Sequence, residues 1–296
     1  METKRIAVLL TCFNRKKLTL ACLDGVFKQD VPDDYQLTVF LVDDGSADGT
    51  SEAVAIRFPE VRLINGSGHL FWAGGMRLAW KTAIESGTFD YYWLINDDTI
   101  LYDSAFTELL KADGYALELY GQSGIYVGST CDPTTGSFTY GGQKLRREDD
   151  YVHDHVFPNG EYQLCDLCNA NCLLVSASVT DKLGILSDRY THALADYDYS
   201  LRAKRAGFPV LVLPDYCGEC TNDHTRESGY QTEPLKKRLN YLFSPKGFAY
   251  HEFLYFTRTF FPSRYLRTQI TFWIRTFLPS LWDRYKTDGL QELVDR

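Results

Sequence analysis

The first hundred residues alternate short apolar runs, rich in β-branched and aromatic side chains, with segments of helical periodicity. Alternating strands and helices are typical of a parallel sheet with crossover helices, so this pattern predicts an α/β fold. In such sheets, ligands bind beyond the carboxyl ends of the strands. The predicted strands are 5–11, 37–42, 61–64 and 91–95, and the predicted helices are 16–28, 50–58 and 75–86.

The middle of the chain has a different composition. Residues 121–165 are rich in Gly, Thr, Tyr and Asp, which predicts short strands and loops that cover a site. The loops of 123–142 are candidates for a closing lid. Beyond this region the pattern predicts a strand over 165–175, a helix ending at 184, a helix over 197–206 and a strand over 210–213.

Residues 236–286 predict several short amphipathic helices. Phe, Tyr, Trp and Leu recur there among arginines, and Pro245, Pro262 and Pro279 are expected to end helices. We therefore divide the chain into a catalytic domain over 1–235 and an aromatic, basic helical region over 236–296.

Charge is distributed unevenly along the chain. Residues 236–286 contain ten Lys or Arg but two acidic residues, which leaves 21 basic and 37 acidic residues elsewhere. A basic, aromatic segment on an acidic body predicts an anionic partner, and we expect a membrane surface rather than nucleic acid. The alternative is a helical cover packed on the catalytic domain or on a second subunit.

The sequence predicts a cytoplasmic protein, with peripheral contact at the inner face of the cell membrane as a further expectation. It contains no uncharged stretch of 18 or more apolar residues, so a spanning helix is not predicted. The apolar residues near the N-terminus lack a cleavage site and are interpreted as the first strand. The eight cysteines do not indicate a small secreted disulfide framework, so reduced thiols are expected.

Carboxylates follow two of the predicted strands. Asp43 and Asp44 come directly after the second strand, where a carboxylate can accept hydrogen bonds from a base N–H or a ribose hydroxyl. An Asx turn that caps the next helix is the alternative. The polar segment 11–15 ends the neighbouring strand, so we expect the two segments to meet.

The segment Asn96-Asp97-Asp98 follows the strand 91–95. Hard cations such as Mg²⁺ and Mn²⁺ prefer oxygen ligands, and one or two carboxylates plus substrate phosphates complete their coordination. An acidic loop without a metal is the alternative. Gly74-Gly75, before a predicted helix, offers backbone N–H groups suited to a diphosphate.

Asp196 opens the predicted helix 197–206. A carboxylate at this position is either a helix cap or a general base that faces a substrate. The pairs Cys165/Cys168 and Cys217/Cys220 have the spacing of zinc ligands, and a structural zinc site is a competing interpretation to buried free thiols.

The ordered series of motifs resembles family 2 of the inverting glycosyltransferases, particularly its bacterial rhamnosyltransferase-like members. The resemblance implies a GT-A-type nucleotide-binding sandwich with a mostly parallel central sheet, followed by a short helical appendage. Ala195 replaces a usual Glu, Asn96 replaces the first acidic position of the D-x-D motif, and Arg77 replaces a common Asn. The motifs are 11–15, 42–50, 74–75, 96–98, 169–175, 196–207 and His224.

This resemblance also implies a role for each site residue. Asp196 is the expected catalytic base, Asp98 and His224 the expected ligands of Mn²⁺ or Mg²⁺, and Asn169 and Asn171 the expected acceptor contacts. The expected nucleotide-binding residues are Thr11, Asn14, Arg15, Asp43, Asp44, Gly74, Gly75, Arg77 and Asp97.

The implied reaction moves a sugar from a nucleotide-diphosphate sugar to a hydroxyl of a saccharide or lipid-linked acceptor in surface polysaccharide synthesis. A UDP- or dTDP-sugar is the expected donor, with dTDP-rhamnose as one candidate. A sugar nucleotidyltransferase is an alternative, although the segment 13–16 lacks the glycines of a phosphate loop. A non-catalytic carbohydrate-binding protein is the other alternative function.

Overall fold

The structure, a computed structural model, describes residues 3–222, 232–280 and 282. The described residues form two compact units. The first contains residues 3–144, 155–191 and 195–222, and the second contains 145–154, 192–194 and the described residues from 232 onward. The predicted division after residue 235 stays a prediction.

The first unit begins with the predicted alternation of strands and helices. Its first four strands are parallel, and β1 lies between β2 and β4. Apolar residues of β1 and β4 are buried on both faces, as expected of central strands covered by helices. The elements are β1 Lys4–Cys12, α1 Lys16–Phe27, β2 Tyr35–Asp43, α2 Thr50–Arg57, β3 Arg62–Asn65, α3 Phe71–Ser86 and β4 Tyr91–Ile95.

The sheet then extends beyond β4. Across the described residues it has ten strands, with the main order β10-β13-β6-β12-β4-β1-β2-β3. Strand β12 is antiparallel to both β4 and β6, whereas β13 is parallel to β6. The further elements are β5 Ile100–Leu101, α4 Ala105–Tyr120, β6 Ile125–Cys131, β7 Phe138–Tyr140, β8 Gly142–Leu145, β9 His153–Val156, β10 Gln163–Leu164, β11 Leu167–Cys168, β12 Cys172–Ser176, α5 Ala177–Leu183, α6 Ala195–Arg205 and β13 Val210–Glu219.

Three predictions for this region need correction. Residues Ile125–Cys131, assigned to a lid, form the fully buried strand β6, because they pair with β12 and β13. The single strand predicted over 165–175 is divided into β11 and β12. Helix α3 begins at Phe71, four residues before the predicted start.

The second unit contains the predicted C-terminal helices. These are α7 Leu235–Phe243, α8 Tyr250–Phe260 and α9 Tyr265–Phe277, with a 3₁₀ turn at Pro262–Arg264. Helix α7 ends before Pro245, and α8 ends before Pro262. Their shared core contains Leu242, Tyr250, Leu254 and Phe272. The prediction of short helices separated by prolines is confirmed. None of the helices in the described residues is long and apolar enough to cross a membrane.

Candidate active site

Polar residues gather where β1, β2 and β4 end. Cys12 of β1 pairs with Asp43 of β2, which aligns the carboxyl ends of these strands. The following loops are joined by Asn14, whose backbone N–H donates to Ser46 Oγ at 2.8 Å and whose Oδ1 accepts from Ala47 N–H at 2.7 Å. The two polar segments therefore meet, as the strand order predicts.

Asp43 and Asp44 bind the protein's own loops. Asp43 accepts hydrogen bonds from Ser46 N–H at 2.8 Å and from the Ser51 hydroxyl. Asp44 accepts from the N–H groups of Gly68 and Leu70, each at 2.8 Å. The side chains are buried, with 4% and 5% of their surfaces exposed. Both carboxylates therefore position the loops at the site, while direct contact with a nucleoside stays a prediction.

The start of α3 changes the interpretation of the paired glycines. Asp44 Oδ2 accepts from Phe71 N–H at 3.2 Å, so a carboxylate from the residue directly after β2 already lies at this helix N-terminus. Gly74 and Gly75 lie inside the helix rather than before it. A Cβ atom on Gly75 would lie 2.0 Å from Thr11 Oγ1. Gly75 therefore allows close packing of α3 on β1. The prediction that the two glycines precede a helix and offer their N–H groups to a diphosphate is wrong in its geometry, because both lie inside α3.

The segment after β4 holds two neighbouring carboxylates. Asp97 is buried and accepts from the Thr19 hydroxyl at 3.2 Å. Asp98 is partly exposed and pairs with Arg15 through Nη1. The same nitrogen lies 3.7 Å from Asp97 Oδ1. One guanidinium thus faces two carboxylates.

The pKa of Asp97 is raised by its surroundings. Burial is the largest cause, and the adjacent charge of Asp98 adds to it, so the pKa of Asp97 rises to about 7. Arg15 and the Thr19 hydrogen bond oppose this rise. A further cation would favour the ionised form of Asp97.

The donor set of the Asp97–Asp98 pair fits a hard divalent cation because it consists of carboxylate oxygens. Among the described residues, no group of three or more His, Cys, Asp or Glu side chains could hold a metal ion. His224, the other predicted ligand, lies outside the described residues. A cation held here would therefore need further ligands, such as phosphate oxygens from a substrate.

Asp196 lies in the first turn of α6. Its Oδ1 accepts from Tyr197 N–H at 2.9 Å, and its Oδ2 lies 3.4 Å from the donating Ala170 N–H. The side chain is partly exposed. Desolvation by the surrounding protein raises its pKa to about 6, although the backbone hydrogen bonds act in the opposite direction. This carboxyl is ionised and able to accept a proton near neutral pH.

The two predicted acceptor residues differ in accessibility. Asn169 is partly exposed, and its Nδ2 donates towards the Tyr197 hydroxyl at 3.5 Å. Asn171 is buried, and its Nδ2 donates to Cys220 Sγ at 3.5 Å. Asn169 is therefore the better placed of the two to meet an acceptor, and both roles stay predictions.

Comparison with known proteins identifies the architecture. Residues 7–121 match the model of Glycosyl transferase family 2. The mannosyltransferase PcManGT from Pyrobaculum calidifontis, solved in complex with GDP-Man and Mn²⁺, is 17% identical with a TM-score of 0.51. The alignment covers 80% of this chain and 62% of that chain. The chain has a GT-A fold.

A second solved structure is also similar. S. aureus TarS 1–349, in complex with UDP, is 13% identical with a TM-score of 0.49. The alignment covers 72% of this chain and 59% of that chain, so this chain spans less than two thirds of either structure. No curated protein sequence matches the chain.

Within the GT-A fold, Arg77 connects two elements near the site. It lies on α3, and its Nη1 donates to the carbonyl oxygens of Ser187 and Tyr190 at 2.8 and 2.7 Å. These bonds hold the loop that precedes α6. The expected nucleotide contact of Arg77 stays a prediction.

Two residues that contact the segment 96–98, Trp72 and Cys220, were not predicted from the sequence to lie there. Trp72 Nε1 donates to Asn96 Oδ1 at 2.7 Å, and the thiol of Cys220 donates to Asp98 Oδ1 at 3.6 Å. The first contact depends on where α3 begins, and the second joins residues 122 positions apart. No local motif signals either contact.

The structure does not support the zinc interpretation of the cysteine pairs. In the part of the chain that the structure describes, no three His, Cys, Asp or Glu side chains lie close enough together to hold a metal ion, so the two cysteine pairs do not form a four-ligand site. All four thiols are buried. Burial is the main cause of the raised pKa of three of them, whereas the pKa of Cys217 is raised first by its hydrogen bond with Cys172 and then by burial. The residues in question are Cys165, Cys168, Cys217 and Cys220.

Proposed function

We propose that the chain is an inverting, metal-dependent glycosyltransferase that moves a sugar from a nucleotide-diphosphate donor to an acceptor hydroxyl. The main supporting observation is the position of Asp196, a partly exposed carboxyl in the first turn of α6 that accepts hydrogen bonds from the backbone N–H groups of Tyr197 and Ala170. Its raised pKa of about 6 suits a general base. The Asp97–Asp98 pair, in the same unit, adds a site suited to a cation. The family match over residues 7–121 supports this reaction class.

In the proposed reaction Asp196 is the general base. Its carboxylate removes the proton of the acceptor hydroxyl as the hydroxyl oxygen bonds to the anomeric carbon of the donor sugar. The bond from that carbon to the diphosphate oxygen breaks, and the electron pair leaves with the nucleoside diphosphate. Attack opposite the leaving group inverts the anomeric configuration. The N–H groups of Tyr197 and Ala170 hold the carboxylate in place.

Asp98 and Asp97 would hold Mn²⁺ or Mg²⁺ together with the donor phosphates. Such a cation neutralises charge on the leaving diphosphate. Arg15 faces the same carboxylates and provides a second positive charge in this region. Thr11, Asn14 and the loops held by Asp43 and Asp44 would surround the nucleoside.

The donor and acceptor follow from the sequence resemblance. We propose a UDP- or dTDP-sugar, with dTDP-rhamnose as the first candidate, and a saccharide or lipid-linked acceptor of surface polysaccharide synthesis. A GDP-sugar is a further candidate, because the neighbour PcManGT was solved with GDP-Man. We place the reaction in the cytoplasm, at the inner face of the cell membrane.

A donor screen tests the reaction. The protein is incubated with UDP-, dTDP- and GDP-sugars, with Mn²⁺, Mg²⁺ or a chelator, and the released nucleoside diphosphate is measured. Metal-dependent release from one donor class, lost in Asp196→Asn, is the expected result. Pyrophosphate release from a nucleoside triphosphate and a sugar phosphate would indicate a nucleotidyltransferase instead. Donor binding without turnover under any acceptor condition would indicate a binding protein.

A further inference from the structure

Helix α9 is apolar on two sides. One side contributes Phe272, which is 2% exposed, to the core of the second unit, with buried Thr276 beside it. The other side carries Leu266, Ile270 and Phe277, whose exposed fractions are 68%, 57% and 48%. A helix whose apolar residues extend around its surface needs a second apolar environment.

The exposed apolar residues form a row. Leu266, Ile270 and Phe277 are separated by four and seven positions, a spacing that places them on one face of a helix. Trp273 falls at the intervening position, and its ring stacks on Phe277 with centroids 5.5 Å apart. Single exposed apolar residues are ordinary, whereas a contiguous row marks an interaction surface. We call this row the α9 face.

The unit that carries the α9 face has a net positive charge. Its described residues include ten Lys or Arg and six Asp or Glu. Among these cations, Lys237 pairs with Glu233 and Arg264 with Asp150. Arg267 is exposed and follows Leu266 at the edge of the row. Lys236 and Lys237 of α7 are also exposed. A partner of this unit must therefore accept both apolar side chains and positive charge.

We propose that the α9 face lies in the headgroup region of an anionic lipid bilayer. There, apolar side chains enter the boundary with the acyl chains while Lys and Arg meet lipid phosphates. A second protein copy fits less well, because a stable interface takes about 800 Å² from each partner, more than one row of side chains on a single helix provides. This inference concerns the second unit alone and does not depend on transferase activity.

Vesicle flotation of the full chain tests the proposal. We expect binding to vesicles of phosphatidylglycerol mixed with phosphatidylcholine, weaker binding to phosphatidylcholine alone, and a decrease as salt screens the basic residues. The triple variant Leu266→Ser, Ile270→Ser, Phe277→Ser should lose most of the binding. Arg267→Gln should lower the partition coefficient about fivefold, because one cation near an anionic surface contributes about 1 kcal/mol.

The control for surface hydrophobicity is Ile56→Ser. Ile56 is 84% exposed on α2, in the other unit, so its loss should leave vesicle binding unchanged. Circular dichroism and thermal melting check that each variant is folded. The proposal is overturned if the wild-type protein does not float with anionic vesicles, or if the folded triple variant floats equally well. It is also overturned if light scattering shows a dimer that the triple variant converts to a monomer, because the face is then an interface between two copies.

Discussion

At the scale of single residues, the fold changes the acidity of Asp196, the proposed general base. Desolvation raises its pKa to about 6, so it is a stronger base than an ordinary aspartate and is still ionised at neutral pH. Two backbone N–H groups fix its position while part of the side chain stays exposed.

The raised pKa of Asp196 predicts how the proposed transferase reaction depends on pH. The base must be ionised, so the rate constant for transfer should rise as pH increases through about 6 and then level off. Asp196→Asn should lower that rate by about 10²–10⁴ and abolish the rise, because an amide takes no proton. Initial rates across this range and donor affinity by calorimetry check the prediction. Weak donor binding with normal turnover in the variant would contradict it.

Arg15 is the second residue with a testable role. Its guanidinium contacts Asp98 and lies near Asp97, where a divalent cation is expected, so the two cations compete for the same oxygens. Arg15→Gln should therefore tighten Mn²⁺ binding by about fivefold, the upper range for a solvent-accessible ion pair. Electron paramagnetic resonance of free Mn²⁺ during titration measures this affinity directly.

Lys17→Gln is the matched control for Arg15→Gln. Lys17 is exposed, lies two residues after Arg15 in the first turn of α1, and its substitution by Gln removes the same formal charge. It should change Mn²⁺ affinity much less, because general charge effects at an exposed position are screened by salt. Weaker Mn²⁺ binding in Arg15→Gln would show that Arg15 assists the cation rather than competes with it.

At the scale of elements, the packing of α3 on β1 determines much of the site. Gly75 allows the helix to pack against Thr11, and Asp44, directly after β2, accepts a hydrogen bond from the N–H group of Phe71, the first residue of the helix. Residues Phe71 to Ala73 are therefore helical, although the apolar periodicity predicts a start at 75. Local sequence patterns cannot show a cap that is supplied by a residue distant in the chain, here Asp44.

Two glycine substitutions separate close packing from helix propensity. Gly75→Ala should destabilise the protein by about 1–3 kcal/mol, because the new methyl group overlaps Thr11 Oγ1. Gly114→Ala on α4 should stabilise it by about 0.5–1 kcal/mol, because no atom lies within 4 Å of its added Cβ and alanine is the better helix former. Urea unfolding of both variants measures these changes. Equal effects of the two substitutions would contradict the close approach of α3 to β1.

At the scale of the whole molecule, Asp97 and Asp196 link stability to pH. Both have folded-state pKa values above the ordinary value for aspartate, about 7 and about 6. Protonation therefore favours the folded state, and the contribution of each group is full below its unfolded pKa and lost as pH rises through the folded pKa. These two groups make the protein less stable at about pH 8 than at about pH 5.

Asp97→Asn should remove part of this pH dependence. We expect the variant to melt at a higher temperature than the wild-type protein at about pH 8, because the buried ionised carboxylate is gone, and to differ little at about pH 5. Mn²⁺ should raise the melting temperature of the wild-type protein more at the higher pH, where it binds ionised carboxylates. Differential scanning calorimetry with and without chelator measures these shifts. A variant destabilised at both pH values would refute the prediction.

The alternation of strands and helices, the carboxylates that follow β2 and β4, and the short C-terminal helices could all be predicted from sequence. These features depend on neighbouring residues: hydrophobic periodicity reports local burial, and prolines end helices wherever they lie. The GT-A fold expected from the ordered motifs is likewise confirmed.

The tertiary structure decided which polar groups remain available and which segments are fixed. Asp44 is occupied by N–H groups more than twenty residues away, Arg15 pairs with Asp98 across 83 positions, and 125–131 becomes a core strand by pairing with β12 and β13. Hydrogen-bond partners, desolvation and close packing depend on residues distant in the chain, whereas a sequence pattern records only the preferences of each segment. For this reason the sequence alone determined where the carboxylates stand in the chain, and folding determined which of them could bind, titrate or only hold a loop.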